Sequence, residues 1–410
     1  MLINGLRKKS MTILFRKGNL GVIGLSSTTL IVFLLTVLFT NTTSVVEDDF
    51  PFFVHGMSMS MTNNNSKTKT PSTMTTKNRH PFKIIDSHLH VWGNSQAAVS
   101  EYPYATDQTP PEALREVADV DALLFHLEQN HVDGAVIVQP INYQYDHSYV
   151  VQEALQKYPT KFKGMLLHDP SLLDTETAIR RLEELTLQGF VGVRYNPYLW
   201  PASPDAAAEE EGPSTPTTTP MSSSPAGLAV YKRCGELHQS VGVMCFKGLE
   251  FHLDDITNLL ESSPTTTMIL DHFSFTRLGS SDSDRTSDNN TNTNNTNKKN
   301  DDEEVIFQQL LALGTKYPQL VIKISAMFRL NDPDGYPYER VRTERFVPLL
   351  AVFGPERLMF GTDFPFVLEQ PGSYKAHIDL FTSVWLRDES QVTKQLIMGG
   401  TAERLFGQWG

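Results

Sequence analysis

The chain has 410 residues, 40% of them hydrophobic, which suits one large or two ordinary domains with a buried core. Its formal net charge of −12, with no basic stripe in the C-terminal three quarters, argues against a nucleic-acid surface and for small-molecule chemistry. The two cysteines, Cys234 and Cys245, form no C-x-x-C pair, so they are expected as free buried thiols, not as a disulfide framework or a cysteine zinc site.

The N-terminus differs in kind from the rest. Residues 1–20 form a basic tail with Arg7, Lys8, Lys9, Arg16 and Lys17 and no acid. Residues 21–40, GVIGLSSTTLIVFLLTVLFT, carry no charge, and about 20 such residues cross a bilayer as a helix. The run is long for a signal-peptide core and no clear small-x-small site follows it, so an uncleaved signal anchor is favoured over a cleaved signal, with a cleaved organelle leader third. The first two readings put the remainder of the chain in the secretory pathway, on the lumenal or extracellular side. The potential glycosylation triplets at 41–43, 64–66, 289–291 and 294–296 agree, although Asn/Thr-rich sequence generates such triplets freely. Residues 41–80 lack periodic apolar positions and read as a disordered linker.

The domain is therefore expected over 81–410, interrupted by low-complexity tracts at 201–226 and 279–304 that read as surface loops. Without those tracts about 280 residues remain, close to the size of a (β/α)8 barrel. In chain order, strands are expected at 83–86, 134–139, 162–167, 190–195, 241–246, 267–272, 320–325 and 357–362. Helical periodicity falls between them, as in SYVVQEALQKY, TAIRRLEELTLQG, DDITNLLESS and EEVIFQQLLALGTKY. Nearly continuous apolar strands alternating with helices predict an α/β fold with a buried parallel sheet, and eight of them predict a TIM barrel. A doubly wound sheet is the rival, but no glycine-rich phosphate turn follows the first strand.

In such a barrel the chemistry gathers past the C-terminal ends of the strands. Those positions hold His88 and His90 after the first strand, Gln139 after the second, His168 after the third and Arg194 at the end of the fourth. His272 follows the sixth, Lys323 and Ser325 the seventh, with Arg329 a little beyond, and Asp363 the eighth. Residues two apart on a strand share a face, so His88 and His90 are placed to touch one ion together. Three histidines and an aspartate suit either ligation of a divalent ion or polarisation of a substrate oxygen while the aspartate takes a proton from water. Arg194, at the end of an apolar strand, requires an internal carboxylate or a substrate carboxylate, and the reading favours the substrate. Gln139, Lys323, Ser325 and Arg329 are read with it as substrate-side groups; the bland alternative for them, and for His168, is satisfaction of strand-end backbone.

The ordered set IIDSHLHVW, GFVGVRYNPYLWP, MILDH, VIKISAMFRL, ERLMFGTDFP and TAERLFG resembles the amidohydrolase-related branch of the amidohydrolase superfamily, across residues 83–407. That branch includes pyrone dicarboxylate lactonase, sugar-acid lactonases and zinc-dependent decarboxylases. The resemblance implies a metal-binding or general-base role for Asp363, ligand or carbonyl-polarising roles for His88, His90 and His272, and a metal set of His88, His90 and Asp363. It also implies a polar fifth-strand ligand, often histidine, where this chain offers Met244, Cys245, Phe246 and Lys247. The departure weakens a full zinc site unless Cys245 or water substitutes, so both a one-ion (zinc) and a metal-independent version stand. The expected activity is hydrolysis of a lactone or related cyclic ester of a small carboxylated molecule. The rivals are a zinc-dependent decarboxylase and a barrel that binds its ligand without turning it over.

Overall fold

The computed structural model describes residues 80–201, 218–279 and 293–410. The basic tail, the apolar run at 21–40 and all but the last residue of the linker lie outside the described residues; among those described, no helix is long and apolar enough to cross a membrane. Eight strands stand in chain order in one parallel sheet: β1 (Ile85–Leu89), β2 (Gly134–Val138), β3 (Phe162–Leu167), β4 (Phe190–Tyr195), β5 (Ser240–Val243), β6 (Thr267–Leu270), β7 (Leu320–Ile324) and β8 (Leu358–Phe360). A parallel bridge between Leu89 and Phe364 brings the exit of β8 back to β1, making a nearly closed (β/α)8 barrel.

Two apolar layers hold it. Ile85, Val136, Val138, Met165, Ile269, Val321 and Met359 pack together as one cluster in the lumen, and the C-terminal Phe406 and Trp409 join it. Trp409 lies so close to Gly134 that a Cβ there would fall 2.0 Å from its ring. The opposite strand faces, with Leu123, Leu182, Val230 and Leu259, form the larger cluster beneath the helices. Those residues belong to α1 (Val120–Gln129), α2 (Thr175–Thr186), α3 (Pro225–Glu236) and α4 (Leu253–Ser262). Asp119, Asp174 and Ser224 cap the first three, each accepting a backbone N–H with its side chain, which fixes where each helix starts.

The low-complexity tracts are shorter than expected. From Thr218 the chain is built in: Met221 is fully buried, Asp255 accepts the N–H groups of Met221 and Ser222, and Pro225 opens α3. The second tract turns helical at Thr293, where α5 (Thr293–Lys316) begins. Polar residues without proline carry only modest helix penalties, so composition alone did not mark that boundary.

The first strand also departs from expectation, lying at 85–89, not 83–86, so that His88 is inside it. Between β1 and β2 the register pairs Asp86 with Ala135 but Leu89 with Ile137, giving β1 one residue more than its partner. Such a bulge reverses the alternation beyond it. Ile85 faces the lumen; past the bulge Leu89 joins the layer beneath the helices, and His88 and His90 take the lumenal side.

The Asp86 carboxylate fastens this bulge to β8. It accepts the N–H of His88 at 3.3 Å, the Thr362 N–H at 2.9 Å, the Thr362 hydroxyl at 2.6 Å and the Tyr374 hydroxyl at 2.9 Å. All are buried, and burial raises the Asp86 pKa to about 6. Asp86→Ala strands these donors without water and is expected to cost about 3 kcal/mol of stability. Urea denaturation at neutral pH measures it; a loss below about 0.5 kcal/mol, the size of a neutral surface substitution, contradicts the assigned role.

Candidate active site

The bulged end of β1 and the exit of β8 meet along a short seam. Ser87 Oγ donates to the Phe360 carbonyl at 2.6 Å, the Asp363 N–H to the His88 carbonyl at 2.9 Å, and the His90 N–H to the Phe364 carbonyl at 2.7 Å. Gly361 permits the approach, since a Cβ there would stand 3.0 Å from both the Cβ and the N of His88. Asp363 adopts φ of +64°, a left-handed conformation a non-glycine residue holds only where its surroundings impose it. The chain after β6 does the same over four residues, His272 to Phe275, each with φ between +54° and +57°. These two strained exits turn Asp363 and His272 toward the histidines of β1.

Asp363 Oδ1 is the point of convergence. His88 Nε2 lies 3.9 Å from it, His90 Nε2 3.8 Å and His272 Nε2 3.8 Å. The rings of His88 and His90 stand nearly perpendicular with centroids 5.2 Å apart, and those of His88 and His272 are tilted by 58° at 4.3 Å. Two N–H groups of Arg329 hold the other oxygen, Oδ2, at 2.8 and 2.9 Å, leaving Oδ1 for the cluster. Burial raises the Asp363 pKa, with Arg329 pulling against it. Burial lowers the three histidines, His88 to about 3 and His90 and His272 well below their ordinary value, so all three are neutral near pH 7.

Hydrogen-bond partners then assign the protons. The His90 Nδ1 faces the Val138 carbonyl at 2.9 Å, which can only accept, so Nδ1 carries the hydrogen and Nε2 a lone pair. The His88 Nδ1 has Asp271 Oδ1, which accepts, at 3.2 Å and Lys323 Nζ, which donates, at 3.3 Å. Lys323 also faces that carboxylate oxygen at 3.4 Å, so the nearer Asp271 is assigned the Nδ1 hydrogen, and His88 Nε2 is buried with no hydrogen-bond partner. His272 Nδ1 pairs with the Ser325 hydroxyl at 2.8 Å, which allows either tautomer.

Beneath the histidines sits a charged layer centred on Asp271, a residue the sequence reading passed over. Its Oδ1 also lies 3.4 Å from Lys323 Nζ, and its Oδ2 3.3 Å from Arg194 Nη2. Burial alone would raise the Asp271 pKa, but Lys323, His88 and Arg194 together hold it well below the usual carboxylate range. Arg194 thus has the internal carboxylate that the sequence reading ranked second, while its buried Nε keeps no partner and the side chain lines the pocket. The one available signal for Asp271 was its place in MILDH, a charge at the end of a wholly apolar strand with Arg194 needing an anion.

The remaining expected residues divide. His90, Gln139, Arg194, His272, Arg329 and Asp363 line a pocket of about 250 Å³ at the barrel mouth; His88 stands behind it. Lys323 and Ser325 are wholly buried and do not line it, Lys323 reaching His88 Nδ1 at 3.3 Å and Met165 Sδ at 3.5 Å. Gln139 spends its amide N–H groups on the carbonyls of Gln144 and Asp146. His168 stacks on Trp200 and lines a separate cavity beside α2. At the fifth strand Met244 faces the pocket and Cys245 packs into the layer under the helices, so Cys245 is not available as a replacement ligand. Both cysteines are free and buried, as expected.

One His88 nitrogen, one His90 nitrogen and one Asp363 oxygen lie within 4.8 Å of one another. The donor set fits a divalent ion: two imidazoles whose outer nitrogens are fixed by a carboxylate and a carbonyl present lone pairs beside a carboxylate, as in histidine metal sites. His272 faces the same oxygen.

A (β/α)8 barrel with a histidine–carboxylate cluster at its C-terminal mouth is thus defined. The chain belongs to the amidohydrolase family, whose model matches residues 85–408. No curated protein matches. Among solved structures it is similar to a probable 2-pyrone-4,6-dicarboxylic acid hydrolase from Acinetobacter baumannii with citric acid bound, at 20% identity and a TM-score of 0.56, over 80% of this chain and 100% of that one. It is also similar to an amidohydrolase from Burkholderia multivorans, seen with HEPES in one crystal form and with zinc in another, at 19% identity and a TM-score of 0.57, over 79% and 99%. At these identities the likeness shows the fold.

The full-length chain is expected to bind one equivalent of Zn²⁺ or Co²⁺, and His90→Ala to lower that affinity about 100-fold. Titration with competing chelator measures both; equal affinity in the variant removes His90 from the ligand set.

Proposed function

We propose that this protein is a hydrolase that opens a lactone or related cyclic ester of a small carboxylated molecule by attack of activated water. The observation that carries the reading is the set of Nε2 atoms gathered on Asp363 Oδ1, with Arg194 in the lining of the same pocket. A divalent ion held by His88, His90 and Asp363 would supply a Lewis acid for the carbonyl and lower the pKa of a bound water.

The chain's own groups account for the rest. Arg194, whose side chain lines the pocket, offers its guanidinium to a substrate carboxylate, setting the ring over the cluster. Asp363, its Oδ2 fixed by Arg329, takes the proton of the attacking water on Oδ1 as the water oxygen bonds to the carbonyl carbon. The ring C–O bond then breaks, and that proton passes to the departing oxygen. The raised Asp363 pKa suits both transfers. The tautomers bear on the choice between the one-ion and metal-independent versions. His90, neutral and with its hydrogen on Nδ1, has no N–H to offer a carbonyl, and burial opposes the imidazolium that would. Its lone pair suits an ion, so the one-ion version is favoured. The citric acid and HEPES bound by the relatives each carry an anionic acid group, in keeping with a carboxylated substrate. The uncharged run at 21–40 further supports placing the barrel beyond a membrane, tethered or released.

Asp363→Asn keeps the shape but cannot take the proton, so kcat is expected to fall at least 1,000-fold, the range of a lost general base or more, with the fold intact by circular dichroism. Mass spectrometry of the products separates hydrolysis, which adds one water and keeps every carbon, from decarboxylation, which releases CO₂. Turnover retained by the variant, or CO₂ release by the wild type, rejects the hydrolytic reading.

A further inference from the structure

Outside the catalytic cluster the pocket is walled mainly by apolar side chains. Where the resemblance would place a polar fifth-strand ligand, Met244 and Phe246 face the pocket, and Trp92, Ile141, Phe275 and Phe366 complete an apolar cage. Phe246 is held from three sides. Its ring meets that of Tyr198 at 4.3 Å, its carbonyl accepts from Arg277 Nη2 at 2.7 Å, and the next N–H, of Lys247, donates to the Tyr198 hydroxyl at 3.0 Å. The same hydroxyl pairs with His252 Nε2 at 3.0 Å, and Lys247 Nζ lies 4.8 Å over the Tyr198 ring. Loops after β4, β5 and β6 are thereby tied around one aromatic side chain, although Phe246 itself remains 37% exposed at the pocket rim.

Several polar groups of the pocket are committed elsewhere, while Gln139 Oε1 is buried without a partner. Gln139 binds the carbonyls of Gln144 and Asp146, Asn142 Nδ2 donates to the Gln108 carbonyl at 2.6 Å, Asn196 Oδ1 accepts from the Tyr198 N–H at 3.2 Å, and Arg329 is paired with Asp363. Of the two guanidiniums in the lining, that of Arg329 is turned to Asp363 Oδ2 and that of Arg194 reaches Asp271 through Nη2 at 3.3 Å. A polyhydroxylated ring would bury hydroxyl groups against carbon, each at a cost of about 1–3 kcal/mol by mutational measure. A flat apolar ring meets aromatic faces instead. At about 250 Å³ the pocket lies below the about 300–1,000 Å³ of most ligand clefts, so the ring system is small.

We propose that the pocket selects carboxylated cyclic esters with a small, flat, apolar ring over sugar-acid lactones, and that Phe246, locked by Tyr198 and Arg277, sets this selection. The proposal rests on the hydrolase reading for the reaction but not for the binding. In the full-length chain, with Zn²⁺ present, calorimetry compares 2-naphthoate with D-gluconate, two monocarboxylates that cannot be hydrolysed. Naphthoate is expected to bind at least about tenfold more tightly, one good aromatic wall being worth about that factor. Phe246→Ser is expected to reduce the preference at least fivefold; Phe246→Leu, which keeps the bulk, reduces it less. Equal or tighter gluconate binding, or an unchanged preference in Phe246→Ser, overturns the proposal. Coumarin-3-carboxylate and D-glucaro-1,4-lactone are then compared as substrates. A higher kcat/KM for the glucarolactone also overturns it, whereas naphthoate selectivity without turnover of either lactone supports the pocket assignment and rejects the hydrolase reading alone.

Discussion

One additional residue in the first strand sets the site. Without the bulge between Asp86 and Leu89, a strand with Ile85 in the lumen would also turn Ser87 and Leu89 inward and send His88 and His90 under the helices. The bulge exposes the His88 N–H, and Asp86 satisfies it while binding Thr362 and Tyr374 on the far side of the seam. The same carboxylate thus shapes the end of β1 and draws the β8 exit against it. The placement of Asp363 among the imidazoles is a consequence of that joint, assisted by the missing side chain at Gly361.

Charge organises the layer below. Arg194, Lys323 and Arg329 face two carboxylates, Asp271 and Asp363, and the intervening histidines are neutral. Two of these cations are guanidiniums that do not lose their charge, so the surroundings favour an anionic ligand over a neutral one. Asp271 spends its negative charge internally on His88, Lys323 and Arg194. That leaves the mouth of the barrel with the Arg194 guanidinium in its lining, apolar walls and a carboxylate turned toward nitrogen lone pairs, an arrangement suited to holding an anion over a water-activating group.

Much of this was legible in the sequence, and the exceptions have physical causes. Eight apolar runs gave eight strands because a parallel sheet buried on both faces must be apolar throughout. His88, His90, His272 and Asp363 could be gathered into one site because strand ends of a barrel converge. The bulge was invisible: a one-residue register change depends on what β2 and β8 offer, not on β1 itself. Asp271 was overlooked because its neighbour His272 looked like the functional member of MILDH, and Lys323 was read toward substrate although it points below the histidines. The helical start at Thr293 escaped because its polar composition reads equally as a loop.

Ion binding at this site requires His88 and His90 to present lone pairs, not N–H groups, to Asp363. Long-range proton–nitrogen correlation NMR of the imidazoles, with selectively labelled histidine and the metal removed, reads this directly at each ring. Hydrogen on Nδ1 and a pyridine-like Nε2 are expected for both residues at pH 7. A protonated Nε2 on either ring would contradict this, because that ring could neither ligate an ion through the atom facing Asp363 nor keep the hydrogen bond assigned to its other nitrogen.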